Sequence, residues 1–246
     1  MSLPISIILY SLRAKKVNQL KLFLYLKHIS SGQVILSLEL QGEVCKALKW
    51  RDRRTFSTNL QWLLQHHWVT INTKRQLLRL VSFQQLHKIV RGRIFTGSKM
   101  GAEDFNTFRP FLYASVICWA VFAKRKHKTM LERKEGHSAK SIACSLQSDM
   151  PNRYLAKIIG NDQSTVSRYK QAAQKARYIF ITEQSQNLHL SIKHIPMIQK
   201  YAPEDVRHSI FLKNNNIYIR KSDLISSRIQ LIYLRHLRVP QKVQQL

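Results

Sequence analysis

Residues 152–171 read NRYLAKIIGNDQSTVSRYKQ. Leu155 and Ile159 stand four apart and Val166 and Tyr169 three apart, so each pair falls on one face of a helix. Between the pairs lies Gly160-Asn161-Asp162, a turn signal. Ala156 is small where two helices would cross closely. Gly160, four positions on, accepts the positive φ that a tight reversal demands. The spacing predicts a helix over 152–159, a turn at 160–162 and a helix over 163–177.

A similar order runs through 43–61. Cys45 takes the small position, Leu48 the apolar one, and Phe56 and Leu60 the inner face of a second helix that Asp52 is placed to cap. Two departures separate the copies: Lys49 stands where the other has Gly160, and the turn is one residue longer. Aligned on Thr55 and Thr165, the copies read RRTFST and QSTVSR. Behind the first, 68–71 and 77–81 are apolar runs around a polar tip at 72–76, which predicts a hairpin. Behind the second, the same reading gives strands at 178–182 and 188–192 around a tip at 183–187.

Both segments resemble the helix–turn–helix family, and the hairpins after them resemble those of winged helix proteins. The resemblance implies an α+β fold, mainly α with small β-hairpin wings. It also implies two winged helix–turn–helix domains in tandem, over 1–87 and 111–200. Residues 88–110, with Gly92, Gly97, Gly101 and Pro110 and little apolar periodicity, read as a linker. Further helices are expected over 16–29, 111–133 and 138–146. A C-terminal hairpin extension fills 201–246, its tight turn signalled by Asn214-Asn215-Asn216 between apolar alternations.

Composition bounds the function. The 246 residues carry 41 Lys and Arg against 13 Asp and Glu, a net charge of +28 that calls for a polyanionic partner. Three scattered cysteines with no Cys-x-x-Cys spacing suit neither a disulfide framework nor a zinc ribbon, and fit a reducing compartment. The apolar run 111–123 is short of the roughly 20 residues of a membrane span, which favours a buried helix. Residues 3–12 have neither the basic region nor the cleavage site of a signal peptide. These features imply a cytoplasmic, nucleoid-associated protein with no membrane partner.

The chemistry expected follows from the second helix of each copy. On the face away from the core the first presents Arg53, Arg54, Ser57, Thr58 and Gln61; the second presents Gln163, Ser164, Thr165, Ser167, Arg168 and Gln171. Arg forks onto guanine, Gln onto adenine, and Ser or Thr serves bases or phosphates, while neither face carries a carboxylate to repel the DNA backbone. Lys74 and Arg75 at the first hairpin tip are placed for phosphates or the minor groove, and Lys213, Arg220 and Lys221 could extend the footprint. Double-stranded DNA is the partner implied, with self-association on it; no cofactor and no metal is expected.

Enzymatic activity is not expected. The acidic residues are scattered, no His-x-His or His-x-x-Arg element occurs, and no Gly-rich phosphate loop is present. The function implied is sequence-specific duplex binding by a transcription regulator. The alternative is a replication initiator or other mobile-element factor, because the tandem arrangement also resembles that of plasmid initiators. RNA binding ranks lower, since no aromatic strand signature or Gly-x-x-Gly clamp appears. If about 6–10 phosphates are neutralised, duplex affinity should fall by roughly 10³–10⁵ between about 50 and 200 mM salt, read from equilibrium titrations across that range.

Overall fold

The computed structural model describes residues 1–134, 148–201 and 210–234. Strand β1 (Ser2–Pro4) leads through Pro4 into helix α1 (Ile5–Arg13), which is buried along most of its length. Helix α2 (Val17–Ile29) turns Leu20, Phe23, Leu24 and Leu26 inward. Strand β2 (Gln33–Ile35) and helix α3 (Leu38–Leu48) follow, the helix capped by Ser37, whose hydroxyl accepts from the Leu40 amide. Helix α4 (Arg53–Gln65) ends the helical part, and β3 (Val69–Asn72) and β4 (Leu77–Leu80) pair as the expected hairpin. Trp68 anchors this unit. It is fully buried, with the rings of Trp62, Phe23 and Tyr10 centred 5.4, 5.6 and 6.0 Å from its own, and burial of so large a side chain contributes several kcal/mol.

Helix α5 (Phe83–Ile89), opened by a Ser82–Gln85 capping box, and strand β5 (Thr96–Lys99) then lead past a 3₁₀ turn at Glu103–Phe105 into α6 (Phe108–Lys134). At 27 residues α6 is the longest helix, and Phe111 to Val121 supply much of the core. Strand β6 (Ser148–Asp149), helix α7 (Asn152–Ile159) and helix α8 (Gln163–Lys175) come next. Strand β7 (Ile179–Ser191), helix α9 (Ile195–Tyr201) and strands β8 (Ile210–Lys213), β9 (Asn216–Ser227) and β10 (Leu231–Tyr233) complete the described chain.

The fold is α+β, with small antiparallel sheets among the helices. One element order recurs with an insertion: α2-β2-α3-α4-β3-β4 in the first unit, and α6-β6-α7-α8-β7-β9 in the second once α9 and β8, which stand between β7 and β9, are set aside. The sheets match as well. Their orders are β2-β4-β3 and β6-β9-β7, with β8 as a fourth strand that also pairs with β9 in the second, so the last strand of each unit lies in the middle. A third sheet, β1-β5-β10, ties the start of the chain, the middle and residues 231–233 together. One buried cluster runs through both units, with α1 packed against α6 and α7.

Three sequence expectations are corrected. Residues 88–110 are no free tether: β5 is the centre of a sheet, and Gly97 is buried there because a Cβ would stand 2.7 Å from Leu234 and 3.0 Å from the Leu3 carbonyl. That glycine serves close packing rather than flexibility. No hairpin forms within 178–192; β7 runs through that stretch, bulged near Glu183, and pairs with β9. Residues 216–227 therefore belong to the second unit's sheet rather than to a separate extension. The turn between β8 and β9 does fall on Asn214 and Asn215, whose φ values are 50° and 60°. The helix expected over 138–146 lies outside the described residues.

Each helix pair is joined by a left-handed residue. Gly160 (φ 77°) follows α7 and Lys49 (φ 58°) follows α3, in both cases four residues after the small Ala156 or Cys45. A Cβ at Gly160 would also press to 3.1 Å from the Arg13 side chain. Gly160→Val should therefore lower stability by about 2 kcal/mol or more, while Lys49→Gly, relieved of the left-handed penalty, should raise it by about 0.5–1 kcal/mol. Thermal and denaturant melts of the two variants check both signs.

Candidate nucleic-acid interface

Helices α4 and α8 begin on matched aspartates. The Asp52 carboxylate accepts from the Thr55 amide at 2.8 Å and its hydroxyl at 3.0 Å; that of Asp162 accepts from the Thr165 amide at 2.7 Å and the Ser164 hydroxyl at 2.5 Å. These hydrogen bonds hold both carboxyls below the usual carboxylate range, led by the Thr55 amide for Asp52 and by the Ser164 hydroxyl for Asp162. Past its cap neither helix contains Asp or Glu.

In the first unit Arg53, Arg54, Ser57, Thr58 and Gln61 are all exposed along α4, and Phe56, Leu60 and Leu63 are buried behind them. The Ser57 hydroxyl donates to the Arg53 carbonyl at 3.2 Å, whereas Arg54, Thr58 and Gln61 have no side-chain hydrogen bond among the described residues. Lys74 and Arg75 are exposed in the turn between β3 and β4. His66 ends α4, stacked on Trp62 at 3.9 Å with Nδ1 donating to the Trp62 carbonyl, and is held as part of the helix end.

In the second unit the expected residues divide between two hollows. Gln163, Ser167 and Gln171 form one wall of a polar groove of about 500 Å³, and Arg220 and Lys221 on β9 face them. Arg153 at the start of α7 reaches the same groove, whose basic lining is offset in part by Glu183, ion-paired to Arg220 at 2.8 Å. Ser164 and Thr165 are engaged by the Asp162 cap. Arg168 turns the other way: its guanidinium lies 5.0 Å from the centre of the Tyr169 ring.

Lys170, which the sequence reading passed over, is 3% exposed, and its Nζ donates to Asp223 on β9 at 2.5 Å and to Asn152 on α7 at 3.1 Å. This buried cation ties three elements at the floor of the groove. The signal was present in the sequence: Val166, Lys170 and Ala173 share the buried face of α8, so a lysine at that spacing demands a buried acceptor.

The second hollow, about 270 Å³, lies where α1, α6 and α8 meet, and Lys15, Arg109, Asp162 and Arg168 line it. Tyr113 and Tyr169 stack beside it with ring centres 4.3 Å apart, and Arg109 donates to the Tyr169 hydroxyl at 2.8 Å. Burial pushes the Tyr113 phenol up to about 12, keeping it protonated where Asn161 donates to it. Next to this hollow the Arg13 guanidinium donates twice to the Ile158 carbonyl, at 2.6 and 3.1 Å, and so holds the last turn of α7.

Among the described residues no three His, Cys, Asp or Glu side chains gather where they could hold a metal ion. No described helix is long and apolar enough to cross a membrane. Compared with protein-family models, curated proteins and solved structures, the chain matches none.

The Lys170–Asp223 pair gives a direct test of how the groove is held. Asp223→Asn leaves a buried lysine without its counter-charge and should cost about 2–3 kcal/mol in denaturant unfolding. The loss should shrink when Lys170→Met is added, since the double variant removes both charges.

Proposed function

We propose that this chain is a sequence-specific duplex-DNA-binding protein, acting as a transcription regulator through two winged helix–turn–helix modules in tandem. One observation carries the reading: a helix–strand–helix–helix–strand–strand order recurs, in the second copy with α9 and β8 inserted before the last strand, and each copy turns outward a polar helix face without a carboxylate beyond its cap. The net charge of +28 supports a polyanion as the partner. An α-helix fits the major groove, so α4 and α8 are the reading elements, while the turn carrying Lys74 and Arg75 meets phosphate or the minor groove.

The two modules act as a built-in dimer whose half-sites lie about 10 base pairs apart. No separate ligand domain stands beside them among the described residues, so occupancy follows protein concentration.

Selection from a random duplex library at near-physiological salt tests the reading. A two-part motif is expected, and its genomic position separates a promoter-bound regulator from an origin-bound initiator; retention with no enriched motif overturns sequence reading. Within a selected site, Arg54→Ala should cost about 1–3 kcal/mol and relax the preference at one base pair. Arg168→Ala should weaken all sequences alike, because its guanidinium lies over Tyr169 beside the inter-unit hollow.

A further inference from the structure

The hollow between the two units has the makings of an anion site. Three cations from three parts of the chain converge on it: Lys15 from the corner after α1, Arg109 from the first turn of α6, and Arg168 from α8. Lys15 is fixed by a left-handed backbone (φ 57°) in a corner closed by hydrogen bonds from the Lys15 and Lys16 amides to the Leu12 and Ser11 carbonyls. Arg109 is held by its bond to the Tyr169 hydroxyl and Arg168 by the face of the same ring.

None of the three has an ion-pair partner among the described residues. The one carboxylate in the lining, Asp162, is oriented by the Ser164 hydroxyl and the Thr165 amide as the cap of α8, and its single charge leaves the three cations in excess. Three cations, two of them preset by Tyr169 and the third on a fixed backbone corner, outnumber the one carboxylate around this concavity, so an anion entering it relieves their mutual repulsion, and a guanidinium fork suits phosphate oxygens. The walls belong to both units, so an anion bound here also fastens one to the other.

We infer that this hollow, built from Lys15, Arg109 and Arg168, is a phosphate-binding site that clamps one phosphodiester of the DNA backbone at the joint between the two units. The inference rests on the duplex-DNA reading for the source of its phosphate. It makes Arg168 a backbone-holding residue, and it adds Lys15 and Arg109, which lie outside both helix–turn–helix segments.

The test uses the whole chain and its Lys15→Gln/Arg109→Gln variant, with a set of bound duplexes in which single phosphates are replaced one at a time by neutral methylphosphonates. The wild-type chain should lose affinity several-fold at one position between the two half-sites, and the variant should not respond there. The variant's log affinity should also fall less steeply with log salt, by about 1 in slope for each phosphate it no longer holds. Equal responses of both chains at every position overturn the clamp and leave the DNA reading standing.

Lys15→Gln alone, at an exposed side chain with no hydrogen bond among the described residues, repeats the test if the double variant melts early. If the wild-type chain binds no duplex, inorganic phosphate followed by the amide resonances of Asn161 and Arg168 decides. Saturable shifts that vanish in the variant keep the site and discard the DNA reading; no shift discards both.

Discussion

What α4 and α8 present to solvent depends on a chain reversal of three or four residues with one left-handed backbone unit at its start. The preceding helix must end abruptly, its partner must cross close above a small side chain, and the second helix must start on a cap that fixes its direction. In the second unit Gly160, Ala156 and Asp162 meet these demands. In the first Lys49, Cys45 and Asp52 meet them, with the Trp50 amide donating to the Cys45 carbonyl at 2.8 Å to close the end of α3. The first unit tolerates a lysine in a left-handed conformation because the rest of its core, centred on Trp68, over-determines the turn.

The units are also joined more firmly than a tether would join them. α1 packs against α6 and α7, Arg13 reaches the end of α7, and β5 lies between strands from either extreme of the described chain. The Tyr178 hydroxyl adds a further link, donating to the buried Asp104 at 2.6 Å, with the hydroxyl of Thr107 2.7 Å away. Burial together with the Asp104 carboxylate holds that phenol well above its ordinary range. Helices α4 and α8, fixed to one body, keep a set spacing, so under the proposed function the match to two half-sites would be made before binding rather than during it.

Local chemistry was legible in the sequence and long-range pairing was not. Residues 152–175 could be read almost to the residue, because helix period, turn glycine and small crossing residue all act within a few positions. The groove could not be read, since Lys170 finds Asp223 across an insertion whose length no local pattern encodes. The stretch 88–110 misled for a related reason: Gly97 has the composition of a flexible segment and the role of a packing contact. The hollow between the units depends on Lys15 and Arg109, which are ordinary surface residues in sequence and become neighbours only through the docking of α1 on α6.

The central place of β9 carries a consequence for how the protein comes to be folded. Its residues Leu224 and Ile225 pair with Asp149 and Ser148 on one side and with Thr182 and Ile181 on the other, so the middle strand of the second sheet reaches the others only after α9 and β8 have been passed. Pairings of such wide sequence separation form slowly, because the intervening chain must be closed into a loop first. The first unit's β3–β4 hairpin is local, and its β2–β4 pairing closes within residues that are made before α6 begins. During synthesis the β2-β4-β3 sheet could then close while the second unit still lacks its central strand, with the edges of β6 and β7 open to the wrong neighbour until β9 arrives.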